Sequence, residues 1–144
     1  MTHEDEGHYR AKHPAGTQYD PAVAAALTER AADGRVTCTA AHEIATAFQV
    51  APSEVGKTAD LLEFRIVECQ MGLFGYAPEK RIVKAPEHID QPLREQLERY
   101  ASNGRINCAT CWKIAADLGL GKMAVSSACE GLGIKVKNCQ LGAF

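Results

Sequence analysis

A displacement of 70 residues lays the chain on itself, residues 20–74 aligning with 90–144 without a gap. Fourteen of the 55 aligned positions are identical, among them Leu27/Leu97, Gly34/Gly104, Arg35/Arg105, Cys38/Cys108, Ala45/Ala115, Val55/Val125, Cys69/Cys139 and Gly72/Gly142. A repeat of that fidelity is a duplication, and it divides the 144 residues into two small modules. Residues 1–19 fall outside the repeat and read as a flexible polar tail. Residues 75–89, with Pro78, Pro86 and Lys80-Arg81, read as a linker. The expected organisation is tail 1–19, repeat 20–74, linker 75–89 and repeat 90–144.

Each copy opens with a helix, started by Asp20-Pro21 and by Asp90 with Pro92, whose carboxylates suit an N-terminal cap. Asp33-Gly34 and Asn103-Gly104 are expected to close those helices. Short β-prone stretches follow, Arg35-Val36-Thr37-Cys38 and Arg105-Ile106-Asn107-Cys108. In the second copy Ala115 is small enough for two helices to cross and Gly119 suits the turn between them. Ile114, Leu118, Leu120, Val125 and Ala128 would fill the wedge. The first copy carries Ile44, Ala45, Phe48, Gln49, Val50, Val55 and Thr58 in the same register. Phe64/Ile66 and Ile134/Val136 then alternate with charged neighbours, the pattern of a half-buried strand. The fold class is mainly α with short β-strands.

Helix, short strand, crossed helix pair and strand, twice over about 110 residues, resembles the winged helix-turn-helix family. The resemblance implies two tandem winged helix-turn-helix repeats and a DNA-binding transcription regulator, the second helix of each pair entering a major groove of double-stranded DNA. On that implication Lys122, Ser126 and Ser127 lie near the groove, and Lys135 and Lys137 meet the backbone as a wing. Arg105 supports them, and Lys57 and Arg65 come from the first copy. A homodimer would add charge and symmetry.

Charge distribution sets a rival beside this reading. The formal net charge of −2 is made of −1 for residues 1–19, −4 for 20–74, +1 for 75–89 and +2 for 90–144. The outer positions of the second helices, Ser53, Glu54, Gly56, Lys57 and Asp60 in one copy and Lys122, Met123, Ser126, Ser127 and Glu130 in the other, hold no Arg, Asn or Gln for bidentate base reading. The acidic first copy suits a protein partner better than DNA. The alternative function is therefore a protein-interaction or assembly module without DNA binding.

The N-terminus, Met-Thr-His-Glu-Asp-Glu, is not a secretory signal, and no apolar run approaches the ~20 residues of a membrane span. A cytoplasmic protein that does not enter the membrane is expected, and its six cysteines are expected to be reduced. Cys108-x-x-Cys111 with Cys129 and Cys139 invites a metal site, but Cys111 aligns with Ala41 and Cys129 with Ala59, which reads as small buried slots. Cys38, Cys69, Cys108 and Cys139 occur in both copies and leave open a redox- or metal-responsive regulator. Strand parity points Cys38 inward with Val36 and places Cys69 with Arg65 on the other face. His3, His8 and His13, beside Glu4, Asp5 and Glu6, share no helical face and read as a solvated tail. His42 and Trp112, at equivalent places, read as packing or surface residues. No catalytic triad, His-Glu-x-x-His, phosphate loop or glycine fingerprint is present, so a non-enzyme without metal or cofactor is expected. The repeated Cys-Gln-Met/Leu-Gly-x-Phe ending, 69–74 and 139–144, matches no feature of the resemblance.

Overall fold

The structure, a computed structural model, describes residues 7–144; His3, Glu4, Asp5 and Glu6 lie outside the described residues. The chain is mainly helical. In the first repeat helix α1 (Pro21–Arg30) is followed by β1 (Arg35–Thr37), α2 (Cys38–Phe48), α3 (Pro52–Leu61) and β2 (Arg65–Val67). The second repeat gives the same order, α4 (Gln91–Tyr100), β3 (Arg105–Asn107), α5 (Cys108–Leu118), α6 (Lys122–Leu132) and β4 (Lys135–Lys137). Cys38 and Cys108, expected to end strands, are the first residues of helices.

The chain forms two compact units, and their boundary is not the boundary of the repeats. One unit holds residues up to Cys69 together with Gln140–Phe144; the other holds Gln70–Cys139. Each unit thus contains its own repeat through the last cysteine and the closing segment of the other. The repeated ending that the sequence left unassigned is the piece exchanged.

In the first unit Asp20 caps α1, its side chain accepting from the Ala22 N–H at 2.8 Å. Asp33-Gly34 does not close α1, which ends at Arg30. Both residues are left-handed, with φ of 52° and 72°, and they form a two-residue turn closed by reciprocal Ala32–Arg35 backbone bonds. Asp-Gly and Asn-Gly are the pairs such a turn favours, because both central residues need positive φ. Asn103-Gly104 repeats the turn in the second unit. β1 and β2, joined by the α2–α3 crossover, pair in parallel, Val36 against Ile66, both buried. Ile106 and Val136 do the same in the second unit. Among the described residues each sheet has two strands, and no partner strand follows β2 or β4 to make a hairpin wing.

The helix pairs follow the expected pattern at their centres. Ile44, Ala45 and Val55, and likewise Ile114, Ala115, Val125 and Ala128, are buried between α2 and α3 or α5 and α6. Gly119 makes the turn at φ 66°, and Gln49 takes the same left-handed conformation at φ 54°. The outer end of the wedge differs from expectation. Phe48, the last residue of α2, and Leu120, just past the Gly119 turn, are 41% and 37% exposed.

Residues 7–19 are not a loose tail. Tyr9 is fully buried at the start of a 3₁₀ turn, Tyr9–Lys12, that packs on α3. The Glu63 carboxylate accepts from the Tyr9 and Arg10 N–H groups at 3.1 and 2.7 Å.

Candidate functional site

The second helices are where the winged-helix resemblance looks for function, so their outer faces decide what the chain can do. On α3 the outer face is covered. Gly56 is buried, and a Cβ built there would stand 2.6 Å from the Leu141 carbonyl carbon and closer still to its oxygen. Only a residue without a side chain admits the Leu141 backbone at that distance. One turn further, Asp60 is 3% exposed at its side chain. His13 Nε2 lies 2.7 Å from its Oδ2, and Lys12 Nζ lies 3.3 Å from the same oxygen. Lys12 also donates to the Gly142 carbonyl at 3.1 Å, tying the two covering segments together. Arg10 donates from Nε to the Leu61 carbonyl at 3.3 Å. Asp60, expected on the exposed side of the helix, is an anchor for residues 10–13.

The same construction recurs on α6 with other chemistry. Glu130, which aligns with Asp60, pairs with Arg81. The Ser127 hydroxyl donates to the Lys84 carbonyl. A Cβ on Gly131 would meet Ile89, Pro86 and Ala85 at 3.1–3.9 Å. At the other end Gly72 lies against Met123 and Ile82, and its carbonyl accepts from the Ile82 N–H at 2.9 Å. Ile82 is the counterpart of Lys12, and Gly72 of Gly142. The segment read as a linker therefore straps α6 as residues 9–13 strap α3.

These straps sort the residues expected to touch DNA. Ser126, where the first repeat has Gly56, is buried, and its Oγ has no hydrogen-bond partner among the described residues. Ser127 is engaged by Lys84. Lys122 stacks on the Trp112 ring, 4.4 Å from its centroid. Lys57 pairs with Glu54 at 2.8 Å. Arg105, Lys135 and Lys137 are brought together. Arg105 and Lys135 are register partners on the outer face of the β3–β4 sheet, opposite Ile106 and Val136, and Lys137 is paired with Asn107. Arg65 faces Arg35 in the same way on the β1–β2 sheet. Like charges placed directly opposite repel, so Arg105 and Lys135, both exposed, present a cation pair to solvent or to a bound anion.

The cysteines also part company with the parity argument. Cys69 is buried, although parity placed it outward. Glu68, at φ 52°, is left-handed and turns the chain by one face between Val67 and Cys69. Asn138, at φ 52°, does the same before the half-buried Cys139. All six cysteines are free thiols. No group of three or more His, Cys, Asp or Glu among the described residues can hold a metal ion. Cys111 and Cys129, read as small buried slots, are indeed buried, on α5 and α6. Interaction with the Cys129 thiol, together with burial, pushes Cys111 well above the ordinary thiol value, whereas the same interaction draws Cys129 below it. The sequence signal that could have found the pair was the substitution of two alanines by two cysteines in one copy alone.

The chain matches no protein-family model, no curated protein and no solved structure. No helix among the described residues is long and apolar enough to cross a membrane.

Proposed function

We propose that the chain is a duplicated winged-helix-like module that binds another protein, without catalysis of its own, and that its second helices serve the fold instead of a DNA groove. One observation carries this reading: the outer faces of α3 and α6 are both covered by segments of the chain, at Gly56 and Asp60 in one unit and at Ser127, Glu130 and Gly131 in the other. A helix that reads bases must offer that face to a groove about 12 Å wide. With Ser126 buried and Ser127 and Lys122 engaged within the unit, the groove-facing set is spent on packing.

The first unit suits a protein partner by charge. Counted from the sequence, it has six Lys and Arg against eleven Asp and Glu, and the other unit has ten against seven. Glu29, Asp33, Glu43 and Glu68 are exposed on it. The full-length tagged chain is expected to retain a defined protein from nuclease-treated extract, and Glu29→Lys with Glu43→Lys to lose it. Retention unaffected by that reversal would remove the acidic face from the proposal.

A second reading, DNA contact through phosphates alone, is favoured by the Arg105, Lys135 and Lys137 face. Three phosphate contacts predict a shallow salt dependence, a slope of about −2.7 in log K against log salt. If duplex DNA binds the full chain at low salt and Lys135→Glu with Lys137→Glu abolishes this, the DNA reading replaces the first. No binding at low salt ends it.

A further inference from the structure

The segment Gln140–Phe144 that covers α3 is separated in sequence from the rest of its unit by the whole of Gln70–Cys139. Its hold on the helix is non-covalent. Leu141 and Ala143 are 1% and 3% exposed, whereas Gly142 and Phe144 are exposed. Gly56 admits the Leu141 backbone, and Lys12, itself held by Asp60, donates to the Gly142 carbonyl at 3.1 Å. The matching segment of the first repeat differs where this site is tightest, with Leu73 in place of Ala143. Three extra carbons in a slot that encloses a methyl group overpack it. Leu73 itself is only half-buried in the second unit. On α6 the buried Ser126 carries the Cβ and hydroxyl that Gly56 lacks, which closes the same approach there. A glycine on the helix and an alanine on the segment thus select one pairing among two closely similar endings.

We propose that this face of α3 is a sequence-selective peptide site that also takes residues 140–144 from a second copy of the chain. Gly56, Asp60 and Lys12 form it, and Leu141, Gly142 and Ala143 are what it reads. The intervening Gln70–Cys139 contributes to the pairing only by raising the local concentration of the segment. A second copy offers the identical segment with identical contacts, so chains in concentrated solution exchange it. The site is distinct from the exposed acids Glu29, Asp33, Glu43 and Glu68 of the same unit.

The test uses the full-length Leu141→Asp chain, whose own segment cannot enter, and a synthetic peptide of residues 137–144 at millimolar concentration. The peptide is expected to raise the Tm of that chain and to restore hydrogen-exchange protection to α3. The same peptide with Ala143→Leu, or with Leu141→Asp, is expected to do neither. A second measurement decides even if Leu141→Asp fails to fold. A diazirine analogue of leucine replaces Leu141 in the full-length chain, which is mixed at high concentration with an isotopically heavy, unaltered chain and irradiated. Expected are crosslinks joining position 141 of the light chain to Pro52–Leu61 of the heavy one. The proposal is overturned by a folded Leu141→Asp chain that gains nothing from the peptide, or by an equal gain from the Ala143→Leu peptide. Crosslinks to Pro52–Leu61 within single chains only overturn it as well.

Discussion

At Gly56 the α3 backbone comes so near the Leu141 peptide that a methyl group has no room, since the atoms it would meet are backbone and cannot swing aside. Gly56→Ala is therefore expected to destabilise the protein by about 1–3 kcal/mol, the usual range for overpacking, although alanine is the better helix former by about 1 kcal/mol. Hydrogen exchange should show residues 140–144 losing protection. At the same place on α6, Ser126 is buried with a hydroxyl that has no partner among the described residues. Ser126→Ala removes a desolvated polar group and is expected to be neutral or to stabilise by up to about 1 kcal/mol. Chemical denaturation of the two variants checks both signs, and a loss of more than 1 kcal/mol for Ser126→Ala would mean the hydroxyl has a partner. The sequence placed Gly56, Asp60 and Ser126 on an exposed face because a helical pattern tells which side meets the core, not what covers the other side. Residues 9–13 and 140–144 have no periodicity, and only Tyr9 and Leu141 among them are large and fully buried. The covering was therefore invisible from the chain alone.

The elements themselves were more legible than their surroundings. Helices α2, α3, α5 and α6 lie where the wedge residues placed them, because a helix crossing repeated in register leaves little freedom. The strands also form where alternation placed them, but their parallel pairing, which follows from the α2–α3 and α5–α6 crossovers between them, was not read. The element that was missed is the strap. Its clasp uses the same helix position in both units, Asp60 with Lys12 and His13, and Glu130 with Arg81. Burial separates their worth. Asp60 is almost wholly enclosed, and Asp60→Ala leaves two buried-side donors without their acceptor, for an expected loss of about 1–3 kcal/mol. Glu130 and Arg81 are 42% and 47% exposed, and Glu130→Ala is expected to cost no more than about 1 kcal/mol. Limited proteolysis reads the difference directly. Asp60→Ala should open cleavage at Arg10 and Lys12, whereas Glu130→Ala should leave the cleavage rate at Arg81 nearly unchanged. Equal effects in the two units would mean that the straps are held by packing alone.

At the scale of the whole chain, the duplication yields units that neither repeat encodes completely. Leu141 and Ala143 are buried in the unit built on the first repeat, and Met71 is buried in the unit built on the second. Folding of either unit thus consumes a piece of chain continuous with the last strand of the other, so opening one must strain or release a segment that the other holds in place. Two independent modules joined by a linker would unfold in two steps. Here urea denaturation of the full chain is expected to give one transition. The fluorescence of Trp112 on α5 and the exchange of the α2 and α3 amides should lose their native signals at the same midpoint. Leu141→Asp makes the argument sharper, since it places a charge in the fully buried site of a residue whose contacts lie in the first unit. A local fault would lower protection in α3 and leave Trp112 untouched. With the exchanged ending as the coupling, the Trp112 midpoint should fall together with that of α3, and a variant in which only α3 moves would show that the two units are held separately.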